Sequence, residues 1–164
     1  MILRSEGRTF ARDRYNHGVD SAAVAEMLRR DHEEWGVLVA LLDERRSGPV
    51  HDPESPNWEA RHVYAHFARW MAHSTDDFEA VLAGRERPPS PEGDDDTVNA
   101  RWRAEDDAVT FEDARRRAHE AFDRREAAIR SVPAERWDRL LNEIAHADGY
   151  GHIGSHRRYI EATR

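Results

Sequence analysis

From Asp20 to about Arg46 the apolar residues Val24, Leu28, Trp35, Leu38 and Leu42 return at intervals that alternate between four and three. That period puts them on one stripe of an α-helix, and Asp20 or Ser21 can serve as its N-cap. One acid interrupts the stripe. Asp31, followed by His32, falls where an apolar side chain is expected, and a carboxylate carried into a core needs a partner. The breakers Gly48, Pro49, Pro53 and Pro56 come next. A second helix is then predicted from about Asn57 to Ala83, with Val63, Phe67, Trp70, Phe78 and Val81 inward and Gly84 as its C-cap.

The stretch "RERPPSPEGDDDTVNA" is rich in proline and acid, too polar to pack, and reads as a crossover loop that carries the chain along a bundle. Thr110 with Asp113 three residues on resembles a capping box, and Phe111, Ala114, Ala118, Phe122 and Ile129 continue at helical spacing to Ser131. "SVPAERWDRLLNEI" predicts a turn and a short helix, after which Asp148 can cap a last helix running toward Arg164. Four major helices and no strand pattern predict an all-α four-helix bundle over residues 20–164, with residues 1–19 as an N-terminal arm. No internal repeat is visible.

A chain of 164 residues with 38% hydrophobic content is sized for one domain. It has no cysteine, so it can build neither a disulfide nor a thiolate site, and any sulfur chemistry needs a thiol from outside. Neither an apolar leader core nor a bilayer-length run is present, so a cytoplasmic protein is expected. All 25 basic residues are arginine, against 33 acidic ones, for a net charge of -8. A net negative chain is a poor nucleic-acid binder unless its arginines gather on one face. The one dense run, Arg115 to Arg117, is bracketed by Glu112, Asp113 and Glu120 and reads as a solvated helix face.

Ten histidines include two pairs at i,i+4, His62 with His66 and His152 with His156. Residues four apart share a helix face, so two imidazoles so spaced can share a metal ion. Position on the seams separates the pairs. His66 lies between Val63 and Trp70 and points inward, whereas His62, between Glu59 and Arg69, is expected to lean toward solvent. His152, His156, Tyr159 and Ile160 form one inward face of the last helix, beside Gly149, Gly151 and Gly154. Three inward histidines on two helices can make the nitrogen side of a metal site with open positions; the alternative is a set of structural histidines. His17, His51, His73, His119 and His146 are read as surface or structural residues.

"NWEARHVYAHFARW" resembles the second helix of the DinB superfamily, and "GYGHIGSHRRYI" resembles its last-helix H-x-x-x-H motif. Between them "DDDTVNARW", "TFEDARRRAHEAFDRREAAIRSVP" and the tryptophan of "AERW" are similar to the branch that includes ClbS/DfsB-type proteins and the N-terminal domain of mycothiol-dependent maleylpyruvate isomerase. The resemblance spans about residues 20–162. It implies a bundle of DinB type and a divalent ion, zinc or nickel, on His66, His152 and His156. It also implies use of that ion to activate a low-molecular-weight thiol such as mycothiol, or water, toward a small electrophile. The alternative it leaves is a non-catalytic stress or self-protection protein that binds a small molecule in the bundle cavity.

Asp31 is a candidate hydrogen-bond partner for an imidazole or a general base, and equally a partner for a core arginine; His32 is a candidate proton shuttle. Arg125, on the seam between Phe122 and Ile129, is a candidate for that arginine or for a substrate carboxylate. Tyr159 and Tyr64 are candidate cavity-lining residues. Val37, Leu41 and Met71, off the main seams, suggest a homodimer.

Overall fold

The computed structural model describes residues 20–50 and 58–162. The N-terminal arm, His17, His51 and the prolines at 53 and 56 lie outside the described residues. The chain folds into α1 (Ser21–Glu44), α2 (Ala60–Leu82), α3 (Asp95–Glu105), α4 (Phe111–Arg130), a 3-10 turn (Ala134–Arg136), α5 (Arg139–Ala147) and α6 (Tyr150–Glu161). It is all-α: among the described residues the only β pairing is an isolated bridge between Pro49 and Glu59.

Local chemistry sets the ends of these helices. Asp20 accepts a hydrogen bond from the Ala22 N–H and Thr110 Oγ1 accepts one from the Asp113 N–H, capping α1 and α4 as the sequence predicts. α2 closes with Gly84 in the left-handed region at φ 67°. Its N–H reaches Val81 O while the Arg85 N–H reaches Ala80 O, the paired bonds that glycine makes possible at this position.

α2 packs along α4, α1 along α6, and α5 rests on α2. These long helices share one core. Trp35 of α1 stacks on Phe122 of α4 at 5.0 Å and meets Phe67 and Tyr64 of α2 edge-on, while α6 adds Ile153 and Ile160. A second cluster at the other end joins Met27 and Leu28 to Phe78, Ile129, Trp137, Leu141 and Ile144. Leu41 and Met71 belong to the core rather than to an outer face, and only Val37 of the three remains exposed, at 43%; the seam assignment missed them because helices pack on more than one side of α1 and α2.

Two expectations change. The crossover is not all loop: its second half is α3, capped by Asp94, whose side chain accepts from the Thr97 N–H. α3 has one buried residue, Val98, but it grips α2 through polar contacts. Trp70 Nε1 donates to Asn99 Oδ1 at 2.8 Å, Trp102 lies edge-on to Trp70, and Arg69 pairs with Asp106 and Glu105. The cap of α6 is Gly149, not Asp148; Asp148 ends α5 and turns its carboxylate elsewhere.

Candidate metal centre

α2 and α6 bring His66, His152 and His156 together. A donor nitrogen from each lies within 4.8 Å of those of the other two, a group that can hold a metal ion. His66 Nε2 and His152 Nε2 are 3.1 Å apart, and the three ring centroids are separated by 4.9–5.1 Å. Two nitrogens at about 2.05 Å from one tetrahedral ion stand about 3.3 Å apart, a separation that the His66–His152 pair already approaches. The trio is backed by aromatics: Phe67 lies 4.9 Å from His152 and 5.1 Å from His156, and Trp58 lies 5.2 Å from His66.

This setting fixes the protonation state. Burial, followed by the mutual repulsion of the imidazolium charges, holds His66 well below its ordinary value and lowers His156 to about 3. Both are neutral at pH 7, the form that ligates a metal. His152 Nδ1 faces Asp148 Oδ1 at 3.0 Å. A proton shared there leaves the Nε2 lone pair directed at His66, the carboxylate–histidine arrangement that orients metal-binding imidazoles.

α6 itself is seated by a buried ion pair. Asp31 Oδ2 accepts from Arg125 Nη1 at 2.8 Å, Asp31 Oδ1 accepts from the Tyr150 N–H at 2.6 Å, and Arg125 Nη2 donates to Ala145 O. α1, α4, α5 and the first turn of α6 are thus tied at one point. Gly149 permits the approach: a Cβ there would lie 2.8 Å from Asp31 Oδ1 and 2.9 Å from Arg125 Nη2.

The other candidates fall differently. Asp31 is not a general base at the histidines: both oxygens are engaged by Arg125 and the α6 backbone, and it does not line the cavity beside the trio. Arg125, 3% exposed, is the core arginine that Asp31 needs, not a carboxylate receptor. His32 points outward and pairs with Glu126 at 2.7 Å, with half its side chain exposed, so it relays nothing to the trio. Tyr64 is fully buried and donates to Asp43 Oδ1 at 2.8 Å. Tyr159 is half-buried on α6 and also lies outside the cavity lining.

His62 is buried, not solvent-facing. Its Nδ1 accepts from the Glu59 N–H at 3.0 Å, and Trp58, Trp102 and Arg103 enclose the ring. Burial, then the nearby Arg103 and Arg61 charges, lowers it to about 4. The covering α3 is the element that the sequence did not reveal. His73, read as a surface or structural residue, lines the cavity.

That cavity, about 390 Å³, opens beside His66 and His152 and runs past Trp70, His73 and Ser74 to Asp77 and Arg87. Its size suits a small-molecule ligand. Among the described residues no helix is long and apolar enough to cross a membrane. No family model, curated protein or solved structure matches this chain.

Proposed function

We propose that the chain is a divalent-metal-dependent enzyme with a four-helix bundle of DinB type, holding zinc or nickel on His66, His152 and His156. The observation that carries this reading is the convergence of three imidazoles from two helices, two of which, His66 and His152, line an open cavity. A structural histidine core has no need of such a cavity. The residues fit an ion: two of the imidazoles are held neutral by burial, and the third is oriented by a carboxylate. When bound, an ion on three neutral imidazoles keeps its positive charge and supplies Lewis acidity toward a thiol or water.

The chain's own residues divide the remaining work. Asp148 holds the His152 proton at Nδ1, the phenylalanine and tryptophan rings exclude water behind the trio, and the groove along α2 positions the substrate. With no cysteine in the chain, thiol chemistry takes its sulfur from a low-molecular-weight thiol, of mycothiol type by the resemblance, for transfer, isomerisation or hydrolysis of a small electrophile. We read the protein as cytoplasmic, and its net charge of -8 disfavours a nucleic-acid partner.

One feature favours a second reading. The 3.1 Å contact lets His66 and His152 satisfy each other without an ion, which suits a non-catalytic protein that holds a small molecule in the cavity. Titrating chelator-treated protein with Zn²⁺ or Ni²⁺ decides between them. Binding to the native state raises the melting temperature, by about 2.7 kcal/mol of added stability at a hundred-fold excess over Kd. The enzyme reading predicts that rise in the wild type and its loss in His66→Ala; a flat response in both favours the binding protein.

A further inference from the structure

The cavity has a direction. On α2 its wall is formed by His66, Trp70, His73, Ser74 and Asp77, residues spaced as one stripe of a helix. Eleven residues separate the first from the last, about 16 Å along the axis. The cavity is therefore a groove with the histidines at one end and Asp77 at the other.

The far end has an unsatisfied acceptor. Asp77 is 3% exposed. Arg87 donates through both Nε, at 2.9 Å, and Nη2 to the same oxygen, Oδ2. Oδ1 is buried with no hydrogen-bond partner among the described residues. A buried carboxylate oxygen left unpaired is unfavourable, and a ligand that donates to it relieves that cost.

The charges point the same way. Asp77, Asp95 and Asp148 line the groove, against Arg87 as its one permanent cation among the described residues. A divalent ion on the histidines offsets that excess. A thiolate head then returns the groove to a negative balance, which a cationic tail offsets, a neutral tail leaves unchanged and a carboxylate tail deepens. Arg125, the other arginine that might have met a carboxylate, is committed to Asp31.

We propose that the groove takes an elongated ligand whose metal-seeking head meets the three histidines and whose neutral or cationic, hydrogen-bond-donating tail meets Asp77, and that it rejects ligands with a carboxylate tail. This rests on the metal reading above and assigns the substrate class of that same site. The match of groove length to charge makes Asp77 a specificity-determining residue.

The test uses Co²⁺-loaded full-length protein, in which uptake is read from ligand-field absorption and thiol binding from the separate sulfur-to-cobalt charge-transfer band. 8-Amino-1-octanethiol and 8-mercaptooctanoic acid are titrated in parallel. The amine-tailed thiol is expected to bind at least ten-fold more tightly, and Asp77→Asn to bring the two within about three-fold while Co²⁺ uptake is retained. Arg87→Gln, which leaves Asp77 intact and unpaired, is expected to widen the preference and serves if Asp77→Asn does not fold. Equal binding, tighter binding of the carboxylate, or binding of neither thiol by the loaded protein overturns the inference and leaves the metal site standing. Failure of the wild type to take up Co²⁺ instead removes the metal reading, and with it the basis of this one.

Discussion

Asp148 Oδ1 and His152 Nδ1 meet at 3.0 Å across the α5–α6 junction, and Asp148 is 6% exposed. A hydrogen bond of this kind fixes which nitrogen of the ring carries the proton, and losing it typically costs about 10–100-fold in metal affinity. Asp148→Asn keeps an acceptor without the charge and is expected to weaken Zn²⁺ binding by about ten-fold, and Asp148→Ala by closer to a hundred-fold, with helical content retained. Competition against a chromophoric chelator measures both; unchanged affinity in the alanine variant would remove Asp148 from the site. The three histidines were legible because each lies on an apolar seam. Asp148 was not, since an acid just before a helix reads first as a cap. The partner of Asp31 was legible as one of two choices, and the structure selects Arg125.

At the scale of elements, the placement of α6 depends on how closely Gly149 lets the chain pass the Asp31–Arg125 pair. The glycine is needed for space and not for an unusual φ, which is -89°. Gly149→Ala places a methyl against two buried charged groups that cannot retreat, and an overpacked site of this kind costs about 1–3 kcal/mol. A fall of several degrees in melting temperature is expected. Gly151→Ala, where nothing lies within 4 Å of the added Cβ, is the control: with the helix propensity of alanine it should be neutral or stabilising. Equal effects of the two would refute the close-approach argument. The helices with strong apolar periods, α1, α2 and α4, could be placed from the sequence to within a few residues, and the N-caps of α1 and α4 with them. α3 could not, because its single buried residue gives no period and its attachment to α2 runs through Asn99, Trp102 and Asp106. Missing α3 also turned His62 the wrong way, since its cover was not foreseen.

For the whole molecule, two helices distant in sequence supply a histidine trio, a buried ion pair seats one of them, and a groove along the other leads from the trio to Asp77. The helix class and the inward histidines follow from periodicity. The groove does not, because which side of α2 stays uncovered depends on α3 and α5 together. The central claim is that the trio holds a divalent ion, and elemental analysis of purified, tag-free wild type beside His66→Ala and His156→Ala tests it most directly. The account predicts close to one zinc or nickel per wild-type chain and loss of the metal in both variants. A wild type that purifies without metal, and takes none up when it is supplied, would contradict it.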